Sequence, residues 1–298
     1  MTASSERTSL SSARERPIAG PIKGSASKSA GGLPVRVLSS VAPSAGGASA
    51  TYLGGPAFAA VITFAAMVMV YEWARMVERE VFSRAFFALA AAAAAALISS
   101  AGGLYVLGFA FCGLGFVMAA ALSRGDATQV PGARAWAAFG AFYIIAPCIA
   151  LLWLRGEVEN GRALTFALFV VVWMADIGAY TAGRVLGGPR ISPALSPEKT
   201  WSGVFGGVLI GGLAGAAAMG AIYGAGGFVR FLAIGGCLGL ASVLGDLAES
   251  AFKRAFGVKD SSNLIPGHGG FLDRLDGMIF ATTAMTSVIY LLLMLGRV

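Results

Sequence analysis

Charge is what this sequence lacks most. Asp, Glu, Lys and Arg make up 12% of its 298 residues, about half of the roughly 25% usual in a water-soluble domain, which excludes a soluble fold with a polar surface. Cysteine is scarce as well. Cys112, Cys148 and Cys237 fall inside apolar runs without CxxC or Cys/His spacing, so neither a zinc site nor a disulfide framework is indicated, and all three read as small buried hydrophobes. The opening MTASSERTSLSSARERP has no apolar stretch directly after its charges, which argues against a cleaved secretory signal. No internal repeat suggests an inverted-repeat transporter.

What is abundant is apolar. The chain is 57% hydrophobic with a mean hydropathy of +0.76, and its glycines and alanine runs suit close helix packing in lipid. The sequence predicts an all-α, polytopic integral membrane bundle with eight or nine transmembrane helices. Residues 1–34, basic and rich in Ser, Ala, Gly and Pro, form a disordered tail that cannot bury a core. Residues 35–53 are a weak apolar segment and a candidate first span, and the membrane-embedded domain covers 54–298. A span needs about 20 residues, and eight runs qualify: Pro56–Met76, Ala85–Ser99, Gly103–Leu122, Ala135–Leu154, Ala163–Thr181, Trp201–Tyr223, Phe228–Leu247 and Gly277–Leu295.

The net charge of +7 is explained by span-flanking basic residues and the tail, so no nucleic-acid partner is expected. Sorting alternate loops into two sides places twelve Lys/Arg on one and four on the other, making the first side cytoplasmic. The loops at 182–200 and 248–276 share that side and hold a density of charge able to build one site.

The candidate chemistry is concentrated in LGDLAESAFKRAFGVKDSSNLIPGHGGFLDRLD, Leu244 to Asp276. A carboxylate within a span is costly and needs a polar cavity or partner. Asp246, Glu249 and Lys253 fall at i, i+3 and i+7, one helical stripe, with Ser250 beside them. The Pro266–Gly270 turn contains His268, Gly269 and Gly270, and can offer backbone N–H groups to an anion. Asp273 and Asp276 share a face if they open the last helix. Asp246, Asp273 and Asp276 suit Mg²⁺, which is held by one or two carboxylates plus substrate phosphates. Lys253, Arg254, Lys259 and Arg274 are cations for phosphate oxygens. In SPEKTWSG, Ser196-Pro197 reads as a helix N-cap with Pro at the first helical position, which puts Lys199 in a first turn where it would meet a phosphate. A snorkelling lysine is the alternative. Asp176, inside WMADIGAYTAGR, needs a partner and serves either the site or the structure.

The segment Ser250–Asp276 resembles the signature of the phosphatidate cytidylyltransferases, with Ser250, Lys253, Arg254, Lys259, Asp260, His268, Gly269, Gly270, Asp273, Arg274 and Asp276 in register. ADIGAYTAGR and SPEKTWSG agree with it, and the likeness covers roughly residues 53–298. The resemblance implies transfer of the cytidylyl group from CTP to phosphatidic acid in a bacterial cytoplasmic (inner) membrane, with membrane lipids as surroundings and Mg²⁺ as cofactor. A second, monovalent cation and a homodimer stay open. Asp246, Asp273 and Asp276 are then metal ligands and, with Lys253, catalytic. Lys199, Arg254, Lys259, Arg274, Ser250, Asp176, His268, Gly269 and Gly270 line the substrate site. An anionic-lipid transporter or flippase is the rival reading, though it has no need of a carboxylate cluster confined to one side.

Overall fold

The computed structural model describes residues 46–193, 195–265 and 269–296. The tail 1–34, residues 35–45 of the weak apolar segment, and His268 lie outside the described residues. The end of that segment, 46–53, is helical and packs into the bundle. Ala50 and Thr51 are buried there, and Arg155 Nε donates to the Thr51 carbonyl at 3.0 Å.

Among the described residues eight helices are long and apolar enough to cross a membrane. They are α1 (Gly55–Glu78), α2 (Arg84–Ala101), α3 (Tyr105–Leu122), α4 (Ala133–Gly156), α5 (Gly161–Leu186), α6 (Trp201–Tyr223), α7 (Phe228–Ala255) and α8 (Leu272–Met294). The chain is thus a polytopic helical membrane protein. Helix α4 is central, with 72% of its apolar window buried, and α3 is peripheral, with 22%. Large apolar side chains such as Phe64, Val106, Phe205 and Leu209 point outward, as a lipid-facing surface requires. Cys237 does too: it is exposed on α7, whereas Cys112 and Cys148 are buried. Its apolar neighbours had suggested burial within protein, but an apolar run in a membrane helix equally serves the lipid face.

Helix ends overrun the apolar runs. Helix α7 continues past Leu247 to Ala255, and α8 begins at Leu272, before Gly277, because hydropathy marks the edge of the apolar zone and not the end of backbone hydrogen bonding. Gly257 terminates α7. With φ +66° it occupies the left-handed region, and Val258 N–H reaches back to the Lys253 carbonyl at 2.8 Å, a Schellman closure.

The residues before α6 differ from expectation. Ser196–Thr200 form a strand, β2, antiparallel to β1 (Arg190–Ser192), with Arg190 opposite Thr200. The N-cap is Thr200, whose hydroxyl accepts from Gly203 N–H at 3.2 Å. Ser196-Pro197 therefore does not open the helix, and Lys199 precedes it. Pairing with β1 keeps this stretch extended until Thr200, where the capping hydroxyl lets the helix start.

Two local devices set the core of the bundle. Inside α4 the backbone widens to a π turn at Ala141–Ile145, just before Pro147, whose missing N–H cannot serve a regular α-helical ladder. Around that turn Trp73, Trp136, Phe139, Tyr143, Phe252 and Phe256 pack largely edge-on, and Trp73 Nε1 donates to the Trp136 carbonyl at 2.9 Å. This aromatic knot fixes the charged end of α7 against α1 and α4. The second device is Gly245, where an added Cβ would meet the Asp276 carbonyl and Gly277 Cα. Helices α7 and α8 thus meet backbone to backbone at the level of Asp246 and Asp276.

Candidate active site

The carboxylate stripe on α7 faces the start of α8. Lys253 Nζ lies 2.6 Å from Glu249 Oε2 and 3.0 Å from Asp273 Oδ1, clasping the two helices together. One turn deeper, the Asp246 and Asp276 side chains are in hydrogen-bonding contact, and Lys199 reaches Asp246 Oδ2 at 2.9 Å from the hairpin. Asp176 on α5 completes the group, accepting from Ser242 Oγ at 3.3 Å. The structure therefore gathers Asp176, Lys199, Asp246, Glu249, Lys253, Asp273 and Asp276. It brings together the two loops that charge alone had singled out.

The turn before α8 is shaped by Asp273 itself. Its carboxylate accepts from the Gly270 N–H at 2.8 Å and the Ser261 N–H at 3.2 Å, a favourable arrangement for an acid in a helix's first turn. Gly269 has φ +82° and closes a bridge to Ile265. Gly270 is buried where a Cβ would strike Ser261 Oγ. Ser250 is half-buried on α7, while Arg254 and Lys259 are exposed at the rim. Arg274 is also exposed, and it lines a cavity of about 240 Å³. Ile62, Met69 and Leu151 form part of that cavity's apolar wall, and Asp176, Arg274 and Asp276 its charged part.

Among the described residues no three His, Cys, Asp or Glu side chains form a metal-holding group. Instead, two carboxyl pairs span the facing helices, Asp246 with Asp276 and Glu249 with Asp273; Lys253 bridges the second pair, and Lys199 contacts the first through Asp246. The contact of Asp246 with Asp276 from facing helices fits Mg²⁺, which is held by one or two carboxylates, keeps waters and takes its remaining ligands from substrate phosphates. Asp273, the third expected ligand, lies one turn away, held by Lys253 and the turn.

Two residues that sequence reasoning passed over belong here. Glu72 on α1 is fully buried and accepts from Phe271 N–H at 2.8 Å, Leu272 N–H at 2.6 Å, Ser261 Oγ at 3.3 Å and the Ser262 hydroxyl. The signal was available: a carboxylate inside the run VMVYEWARM is as anomalous as Asp246. Tyr143, in the π turn, has a buried hydroxyl without a hydrogen-bond partner among the described residues, within electrostatic reach of Asp276 and Glu249. Nothing in the sequence distinguishes it from a core aromatic.

Known proteins are similar over most of this length. A sequence model of the cytidylyltransferase family matches residues 34–292, so the likeness starts well before residue 53 and takes in the weak apolar segment. A phosphatidate cytidylyltransferase of Brucella suis is 38% identical over 239 residues, covering 79% of this chain and 85% of the relative. The enzyme of that name from Pseudomonas aeruginosa is 35% identical over 245 residues, 80% and 89% of the two chains. One from Staphylococcus epidermidis reaches 43% over a shorter 122 residues, 41% and 46%. With paired carboxylates and bridging lysines at one end of a helical bundle, and a match running through nearly all its spans, this chain belongs to the cytidylyltransferase family.

Proposed function

We infer that this protein transfers the cytidylyl group from CTP to phosphatidic acid, forming CDP-diacylglycerol and pyrophosphate. The observation that carries the reading is that the acid–lysine cluster and the apolar cavity share Asp176 and Asp276, with Arg274 on the same cavity wall. A lipid phosphate and its chain call for that combination. A phosphate oxygen of the lipid attacks the α-phosphorus of CTP, a new P–O bond forms, and the bond to the β-phosphate breaks, its electron pair leaving with pyrophosphate. The nucleophile is already an anion, so no strong general base is needed. The barrier is largely repulsion between phosphates, which fixed cations and alignment of the reacting groups lower.

Asp246 and Asp276 are the proposed holders of Mg²⁺, with Asp273 beside them. The bound ion supplies charge neutralisation between the phosphates. Lys199 and Lys253, each already facing carboxylates, are placed to exchange a carboxylate contact for a phosphate oxygen. Arg274 stands at the cavity, and Arg254 and Lys259 at the rim give the nucleotide's phosphates a basic entrance. Ser250, Gly269 and Gly270 are assigned to the substrate site, His268 joins them on its place in the sequence alone, and Asp176 lies on the cavity wall. The positive-inside bias puts this end of the bundle on the cytoplasmic side of a bacterial inner membrane, where CTP is available.

The test uses purified protein in lipid micelles with phosphatidic acid, Mg²⁺ and α-labelled CTP, and follows label into a chloroform-soluble product, with Asp246→Asn beside wild type. Labelled lipid from wild type, reduced at least about a hundredfold in a folded Asp246→Asn, is expected. No labelled lipid from folded wild type with any of several divalent ions would overturn the reaction and move weight to lipid transport.

A further inference from the structure

Helix α8 begins without a cap of its own. Phe271 occupies the N-cap position and offers no side-chain acceptor, so the first N–H groups of the helix need partners from elsewhere. They find them on α1: the Glu72 carboxylate takes the N–H groups of Phe271 and Leu272, from about 200 residues away in the chain. The same two oxygens accept the hydroxyls of Ser261 and Ser262. A carboxylate has about four lone-pair sites, and here four donors use them. Glu72 is also a negative charge at a helix N-terminus, where the dipole favours it. Gly270 makes the approach feasible, since a Cβ there would press on Glu72 Oε1 and Ser261 Oγ.

We propose that Glu72 is a positioning residue that caps α8 from α1 and so sets the depth and rotation of the turn carrying Asp273 and Asp276. The link is short: Ser261, tied to Glu72 through its hydroxyl, donates its N–H to Asp273, and Leu272, tied through its N–H, directly precedes Asp273. Glu72 touches neither substrate nor metal on this account. Its effect on turnover rests on the reaction proposed above, whereas its effect on the turn does not.

Three variants test it. Glu72→Gln keeps the volume but turns an acceptor into an NH₂ group facing N–H donors. Glu72→Asp keeps the charge and withdraws it by one methylene, and Gly270→Ala leaves Glu72 intact while wedging a methyl group between it and Ser261. Turnover and the KM for CTP are measured per folded molecule in detergent, and amide hydrogen exchange is followed across 261–272. In Glu72→Gln and Gly270→Ala, kcat is expected to fall about 10- to 100-fold while the KM for CTP moves less than about threefold. Exchange at Phe271 and Leu272 should quicken, and Glu72→Asp should recover part of both. A residue that only stabilised the bundle would lower the folded fraction and leave kcat per folded molecule unchanged. Wild-type kcat or wild-type exchange at 261–272 in folded Glu72→Gln overturns the proposal. Should that variant not fold, Gly270→Ala and Glu72→Asp are judged by the same criteria. If wild type makes no labelled lipid, the reaction reading falls and the exchange comparison still decides the cap.

Discussion

Lys253 sits between two acids on different helices, 2.6 Å from Glu249 and 3.0 Å from Asp273, with its side chain only 14% exposed. Removing one partner of a buried ion pair leaves charge without compensation, at a cost of about 3–5 kcal/mol. Lys253→Met is therefore predicted to lower the midpoint of thermal unfolding in detergent and to abolish turnover. Lys253→Arg should keep most of the stability, because a guanidinium still pairs with both carboxylates, and lose most turnover, because its planar fork replaces the compact, rotatable ammonium. An unchanged midpoint in Lys253→Met would mean that the clasp contributes nothing to the fold. At this scale the sequence was informative where charge interrupts an apolar run. The same logic holds for Glu72, which lies far in the chain from the acids of the site. Its role is visible only once α1 packs beside the start of α8.

Among the elements, the β1–β2 hairpin and α6 share Thr200. Its hydroxyl caps α6, and its backbone closes the strand that presents Lys199 to Asp246. Losing a threonine cap costs about 1 kcal/mol, so Thr200→Ala should unfold at lower temperature and turn over more slowly as the Lys199–Asp246 contact loosens. Thr200→Ser should match wild type in both, and a Thr200→Ala protein indistinguishable from it would remove the cap from the account. Reading a helix start at Ser196-Pro197 failed for a physical reason. Ser-Pro opens helices and turns with similar ease, and only the antiparallel pairing of Arg190 with Thr200, a tertiary fact, holds the stretch extended. The ends of α7 and α8 were displaced by a different cause, since the charged stripe remains helical beyond the apolar run that made the span recognisable.

For the whole molecule, the proposed orientation rests on basic residues gathered on one side of the bundle. Asn263→Cys lies between α7 and α8, and Glu159→Cys between α4 and α5, both exposed and on opposite sides. In intact cells stripped of the outer membrane, with Cys237→Ala as background, a membrane-impermeant maleimide should modify Glu159→Cys directly and Asn263→Cys only after permeabilisation. The reverse pattern would put the candidate site outside. The sequence by itself determined the membrane class, the eight apolar spans though not the charged ends of their helices, and the two charged segments, because burial in lipid imposes a long apolar run on each helix and makes every interruption costly. Only the tertiary structure decided which charges meet. Asp246 reaches Asp276 because Gly245 lets α7 and α8 touch, Lys199 reaches Asp246 because a hairpin carries it there, and Glu72 caps a helix some 200 residues away. Such pairings depend on contacts between distant segments, and the spacing of residues along one segment holds no record of them.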